Sequence, residues 1–463
     1  MQQPGNGSAP PTDGVDPQSR RSTKDLSRAA VSGWLGTALE YFDFQLYAFG
    51  AALVFIPLFF PGTAPGIGFI LAMATYGVGY VARLAGAVYF GRMGDRLGRK
   101  KVLFLTIALM GGSTTLIGFL PTYASVGILA PLLLVLLRMI GGFGAGAEIA
   151  GATVMLAEYA PRRRRGLVGS LVALGTNSGT LAAAGTWAVL LAVLSEEQLL
   201  DWGWRIPFIA SVGLLLFTLW LRRNLKESPV FEQRADVVDG VAVKRDEITQ
   251  VAGQAAVEQA LHEKKGKAFF IAVGLRFGQA GNSGLIQTVL ITYLVSTLML
   301  DRSIGTTAIT IGSVIGFATV PLVGILSDRI GRRPIYLVFS AIGAIIAVPL
   351  MLAVESGDTV LITVAIALSL NLAVLSLFAG ESVTLAELFG ARNRFTQLAL
   401  AKEAGGIAAS AIGPVLAAAL TAATGSWWPL AAMMIGYSAI AFFSALVAPE
   451  VRGRDLLRLD NAA

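Results

Sequence analysis

The sequence predicts an all-α membrane protein of twelve spans, arranged as one six-span unit written twice. Three features point to it. The composition is too apolar for water: of 463 residues, 55% are hydrophobic and 14% charged, against about 25% charged in a soluble chain. Apolar runs long enough to cross a bilayer recur along the whole chain. A charged, glycine-rich loop appears in each half, as Gly91-Arg92-Met93-Gly94-Asp95-Arg96-Leu97-Gly98-Arg99-Lys100-Lys101 and as Gly324-Ile325-Leu326-Ser327-Asp328-Arg329-Ile330-Gly331-Arg332-Arg333. Gly91, Asp95, Arg96 and Gly98 match Gly324, Asp328, Arg329 and Gly331 at one offset of 233 positions.

Residues 1–28 are rich in Pro, Gly, Ser and charge and hold no apolar core. They read as a disordered cytoplasmic tail, not a signal peptide. Apolar runs follow at 29–60, 66–90, 102–120, 128–157, 166–194 and 204–221, a first half over 29–221. The second half, 268–448, has runs at 268–299, 304–326, 334–354, 359–388, 395–423 and 428–448. Each exceeds the ~17 residues a spanning helix needs. None shows the period-two alternation of a membrane strand. Between the halves, residues 222–267 mix nine basic with eight acidic residues and read as a solvated cytoplasmic linker. The part from Asp246 to Lys267 also suits an amphipathic surface helix. Residues 449–463 form a short C-terminal tail. A second echo supports duplication: Glu158-Tyr159-Ala160-Pro161 with Arg165 matches Glu387-Leu388-Phe389-Gly390 with Arg394, after the fourth span of each half.

Twelve spans put both termini on one side. Thirty of the 36 Lys and Arg residues lie in segments on that side, while the facing loops hold only Arg302 and Arg205. The basic side is expected to be cytoplasmic, so both termini face the cytoplasm from a multi-pass position in the plasma membrane. The net charge of +7 is explained the same way, without nucleic acid. Trp34, Trp202, Trp204, Trp220, Trp427 and Trp428 lie near span ends, where interfacial anchors belong. Cysteine is absent and His262 is the single histidine. Disulfides, thiol chemistry and a Cys- or His-based metal centre are excluded. No nucleophile–base set appears, so no enzyme, cofactor or metal is expected.

The loop motif resembles that of the major facilitator superfamily. More specific are Glu40-Tyr41-Phe42-Asp43-Phe44 in the first span, Arg138 through Glu148 in the fourth, and Trp202-Gly203-Trp204-Arg205-Ile206-Pro207-Phe208 before the sixth. Together they are similar to the metabolite:H+ symporter family, which includes shikimate, alpha-ketoglutarate, citrate and proline/betaine permeases. Leu275-Arg276-Phe277 and Glu387-Leu388-Phe389-Gly390-Ala391 place it nearest the shikimate-type branch. The resemblance covers residues 30 to 450. It implies a monomer of two six-helix bundles with alternating access to a central cavity lined by the first, fourth, seventh and tenth spans. The chain departs from relatives at Gly141 (usually Gln), Ile149-Ala150 (Trp-Gly), Leu84 (Pro) and Gln279 (often Glu). Gly141 and Gln279 are expected to border the cavity, so the substrate is not carried over from the nearest branch.

A charge deep in a span costs at least ~2.5 kcal/mol, so it marks a partner or a wet cavity. Glu40, Asp43 and Tyr47 fall at i, i+3 and i+7, on one face of the first span. Two carboxylates that close would repel, which suits a proton site. Arg138 lies near the midplane of the fourth span and keeps its charge. It needs an anion: Asp43, Glu40 or the substrate. Arg276, Gln279, Ser283 and Gln287 form one polar stripe on the seventh span, with Asn282 beside it, and Asn371 is near mid-depth in the tenth. Arg138, Arg276, Tyr47, Gln279, Asn282, Ser283 and Asn371 are the candidate substrate contacts; Asp43, Glu40 and Arg138 are the candidate proton-coupling set. Arg83 and Glu148 read as a structural or gating pair. By resemblance, Asp95, Arg96, Arg99, Asp328 and Arg329 latch the halves together at the loops. Glu381, Lys402 and Glu403 each need a partner from elsewhere. The glycine run Gly141 to Gly146 lies inside an apolar span and reads as helix packing rather than a phosphate loop. The expected function is proton-coupled uptake of a small organic anion: shikimate-like, an aromatic acid, or a di- or tricarboxylate. The alternatives are a zwitterionic osmolyte symporter, an exporter and, last, a solute sensor.

Overall fold

The apolar runs become helices because a backbone in hydrocarbon must satisfy its own hydrogen bonds. The computed structural model describes residues 23–50, 54–62, 65–97, 99–146, 148–223, 254–290, 293–294, 297–298, 300, 302–391, 394–456 and 461–462. Most of the expected N-terminal tail (1–22) and of the linker (224–253) lies outside the described residues. In chain order the long helices are α1 (Thr23–Gly50), α2 (Pro65–Leu97), α3 (Arg99–Ile117), α4 (Leu129–Ala145, then Glu148–Tyr159), α5 (Arg165–Val193) and α6 (Arg205–Arg223). The second half follows with α7 (Gln254–Gly284), α8 (Arg302–Ile330), α9 (Arg332–Glu355), α10 (Thr359–Ser369 and Ser376–Leu388), α11 (Arg394–Ile407 and Gly413–Thr424) and α12 (Trp428–Val447). Among the described residues, eight stretches are long and apolar enough to cross a membrane by themselves, those of α3–α6, α8–α10 and α12.

Each set of six packs as one bundle. In the first, α1 lies along α5, α2 along α4, and α3 between α4 and α6. In the second, α7 packs on α11 and α12, α9 on α12, and α8 on α10. The bundles meet along two crossed pairs, α2 with α11 and α5 with α8, which the repeat exchanges. They also meet where Glu148–Tyr159 of α4 and Ser376–Leu388 of α10 pack on each other. Every residue of those two stretches is buried. Both loop motifs lie at this end, called the basic end below.

Glycine makes the closest crossing. A Cβ on Gly142 would lie 2.1 Å from the Gly79 carbonyl oxygen, and one on Gly146 2.1 Å from that of Arg83. Gly142 and Gly146 are thus the surface against which α2 seats, while Gly144 faces α3 at Thr106. Gly141 also turns to α3: its Cβ would strike Ser113 at 2.6 Å, so it faces that helix and not a cavity.

Two expectations change. Beyond the described stretch of α1, Phe55 and, in the turn Ile56–Phe59, Phe59 enter an aromatic cluster with Trp204 and Phe208. Trp204 is therefore fully buried rather than an interfacial anchor. Trp34, Trp202, Trp220 and Trp428 are exposed, and the Trp34 indole donates to Ser178 at 2.9 Å. The other change is that α7 begins at Gln254, inside the segment read as a solvated linker, over part of the stretch from Asp246 to Lys267 that also suited a helix. Within α10 the backbone widens to a π turn over Leu370–Leu375, where Ser376 donates to the Asn371 carbonyl at 2.7 Å.

Candidate functional site

Glu40 and Asp43 are one helical turn apart on α1, yet each takes its own guanidinium. Arg138 Nη1 donates to Asp43 Oδ2 at 2.8 Å, and Thr114 donates to Asp43 Oδ1. Arg83 Nη1 donates to Glu40 Oε1 at 2.6 Å. The mutual repulsion read from the sequence is answered by two cations from α4 and α2. Arg138 is almost wholly buried, at 1% exposure. Its guanidinium lies 4.4 Å from the Phe44 ring centre and 4.5 Å from that of Tyr47, stacking that strengthens in a dry setting. The Tyr47 hydroxyl shares a hydrogen bond with Thr75.

Arg83 does more than hold Glu40. Its Nε and Nη2 donate to Glu403 Oε2 and Oε1 at 2.8 and 2.7 Å, a two-pronged bond from α2 to α11 across the two bundles. In the second bundle Lys402 Nζ lies 2.6 Å from Glu381 Oε1. Arg276 Nη1 lies 3.4 Å from Glu381 Oε2 and donates to Gln279 Oε1 at 2.6 Å. Arg276 and Lys402 both lie over the Phe378 ring, at 5.5 and 5.2 Å. The polar stripe of α7 continues as Gln287 donating to Ser283 at 2.6 Å. The two asparagines tie helices together: Asn282 donates to Ser438 of α12 at 2.9 Å, and Asn371 to the Gly312 carbonyl of α8 at 2.9 Å. Glu148 accepts from Thr106 of α3 at 2.7 Å.

A separate charge layer closes the basic end. Asp328 accepts from the first free amides of α5, Gly166 N at 2.7 Å and Leu167 N at 2.9 Å. A carboxylate at a helix N-terminus is favoured by the unpaired N–H groups there. Arg332 binds Asp328 at 3.0 Å and Glu387 at 2.9 Å, and Arg165 binds Glu387 at 2.8 Å. On the other side of the interface Arg394 binds Glu158 at 3.0 Å. The first loop seats on α11, its Gly91 against Thr396 and its Gly94 against Phe395. The Asp95 and Arg99 side chains lie outside the described residues; Arg96 and Arg329 are exposed. The C-terminal tail covers this layer. Arg454 donates to the carbonyls of Glu387 and Leu388, Arg394 donates to that of Leu456, and Asn461 accepts from Gly390 N.

Residues 33–400 match the profile of the Major Facilitator Superfamily. The chain belongs to that superfamily. It is 52% identical over 423 residues to YdfJ of Escherichia coli (strain K12), a transporter by name, covering 91% of this chain and 96% of that one. To the shikimate transporter of the same organism it is 34% identical, over 91% of this chain and 94% of that one. To the proline/betaine transporter of Escherichia coli (strain K12) it is 33% identical, over 95% and 86%. Its fold matches a structure of the proton:xylose symporter XylE bound to 6-bromo-6-deoxy-D-glucose with a TM-score of 0.74, at 18% identity over 95% of this chain and 99% of that one.

This major facilitator protein is a multi-pass membrane transporter of small molecules and not an enzyme. Its fold brings Glu40, Asp43, Tyr47, Arg83 and Arg138 together in one bundle and Arg276 with Gln279 in the other, whereas Asn282, Asn371, Glu148 and the loop charges take other partners or lie elsewhere. Glu403, Lys402 and Glu381 join them although sequence reasoning gave them no role. Their only signal was a charge deep in a span, because their partners stand up to 320 positions away.

Proposed function

We propose that the protein is a proton-coupled symporter that imports a small organic anion across the plasma membrane, with both termini in the cytoplasm and the chain acting as a monomer. The observation that carries the reading is a buried guanidinium in each bundle, Arg138 paired with Asp43 in the first and Arg276, its side chain 13% exposed, beside Glu381 in the second. A proton on Asp43 removes the charge that holds Arg138. The guanidinium is then able to take a substrate carboxylate in two-pronged fashion. Arg276 supplies a second positive charge, and Gln279, Ser283 and Tyr47 fit the remaining polar groups. Asn282 and Asn371 keep their carbonyl oxygens without a hydrogen-bond donor among the described residues, and these acceptors face the substrate's hydroxyl groups in our reading. Glu40 shares the proton-coupling set with Asp43; Arg83 and Glu148 gate the path, and Asp95, Arg96, Arg99, Asp328 and Arg329 hold the cytoplasmic end shut while the cavity is open outward.

A zwitterionic osmolyte is the second reading, favoured by relatives named as proline/betaine transporters at 33% to 36% identity. The test is uptake into vesicles of a labelled panel: shikimate, an aromatic acid, a dicarboxylate, citrate and betaine, with and without a proton gradient. Gradient-driven accumulation of one acid, abolished by a protonophore, is expected. Accumulation of betaine and of no acid overturns the anion reading, and accumulation indifferent to the gradient overturns symport.

A further inference from the structure

We propose that Glu403 is a coupling carboxylate, and that a proton on it releases the Glu40–Arg83–Glu403 bridge between the two bundles. The proposal rests on the symport reading above but names a group that reading does not use. Arg83 is the middle of the bridge. It holds Glu40 of its own bundle with Nη1 at 2.6 Å and Glu403 of the other bundle with Nε and Nη2 at 2.8 and 2.7 Å. Both carboxylates are buried, Glu40 at 1% and Glu403 at 8% exposure. The bridge lies on the α2–α11 pair, eight residues in from Gly91, which is ~12 Å of helix from the basic end.

The charge inventory singles out Glu403. Among the described residues, the charged groups that reach Glu403 are Arg83 of α2, Glu40 of α1 and Arg276 of α7; beyond them Glu148 of α4 acts on Glu40, Tyr41 of α1 and Glu381 of α10 act on Arg276, and Lys402 of α11 is bound to Glu381. Lys402 and Arg276 both face Glu381, at 2.6 and 3.4 Å. When the bundles part at the basic end, Arg83 leaves with Glu40, and Lys402 and Arg276 stay with Glu381. Glu403 loses its two-pronged guanidinium in that movement. A carboxylate in that position needs another positive charge, and a proton is the smallest one. The reverse also holds. A proton added to one oxygen of Glu403 gives a neutral acid with a single free acceptor oxygen, which no longer matches the planar fork of Arg83. Protonation and opening of the basic end are therefore linked, and the linkage works in both directions.

The test needs no substrate. The chain has no cysteine, so one can be introduced as a reporter. Ser170 of α5 is buried under Gly324 of α8 at the basic end. In liposome-reconstituted S170C protein, labelling by a hydrophilic maleimide reports opening there. Because maleimide adds to the thiolate, the rate is divided at each pH by that of the unfolded protein, and this normalised rate is expected to rise as pH falls. Adding Glu403→Gln should raise it roughly tenfold or more at neutral pH and flatten its pH dependence, because the bridge is then permanently uncharged on that side. Glu403→Asp, which keeps the charge on a shorter arm, should retain the pH response with a displaced midpoint; it also decides the matter if Glu403→Gln does not fold. A Glu403→Gln or Glu403→Asp profile that coincides with that of the S170C parent, or a normalised parent rate independent of pH, overturns the proposal. Failure of proton-driven uptake in the panel experiment sinks the symport reading instead, and leaves the labelling result standing.

Discussion

At the scale of the residue, the interior works as a set of charges that each answer another. The Arg138 guanidinium beside Asp43 lies over two aromatic rings, Phe44 and Tyr47, which fix its direction. Asp43→Asn keeps the shape and removes the charge. It should abolish accumulation against a gradient while leaving substrate exchange, measured by counterflow; accumulation equal to wild type would remove Asp43 from coupling. Arg276→Gln should raise the half-saturating substrate concentration roughly 10- to 100-fold, the loss of one or two charge-assisted hydrogen bonds. Uptake kinetics decide it, and an unchanged half-saturation would take Arg276 out of the substrate site.

At the scale of the element, backbone contact and helix ends set how bundles hold. α2 and α4 touch through glycine, so a single methyl group is felt there. Gly146→Ala should cost about 1–3 kcal/mol through overpacking, read as a lower unfolding temperature of the purified protein. Gly112→Ala is the control, since nothing lies within 4 Å of its Cβ position, and should be neutral or mildly stabilising. Asp328 joins the second bundle to the first by accepting from the start of α5. Asp328→Asn weakens that junction by ~0.5–2 kcal/mol. Transport should fall with insertion unchanged; transport at the wild-type rate would leave the loop as a marker of topology only.

The whole molecule is held closed at one end by two layers, one in the membrane and one under the tail. The tail reaches both bundles, through Arg162 with Asp455 in the first and Arg454 with the Glu387 carbonyl in the second. A chain ending at Glu450 keeps all twelve helices and loses this cover. It should insert normally and label faster than the full chain at a cysteine placed at Ser170. Equal labelling would make the tail a passenger on the closed end.

The sequence by itself determined the class, the twelve helices and the duplication. These rest on composition and on runs that hydrocarbon forces into helix, and both are local. It also determined which residues would need partners, since a charge such as Arg83 or Glu403 in an apolar run is visible without a structure. Which partner each takes was not legible. Glu40 and Asp43 share a face of α1, so spacing pairs them with each other, and only the approach of α2 and α4 sends each to its own arginine. Trp204 at a span end has the pattern of an anchor, yet Phe55, Phe59 and Phe208 gather around it. Arg83 and Glu403 stand 320 positions apart, and no periodicity reaches that far. Tertiary structure decided these pairings because a buried charge takes whichever opposite charge the packing of helices brings within reach, and that packing is a property of the two bundles together.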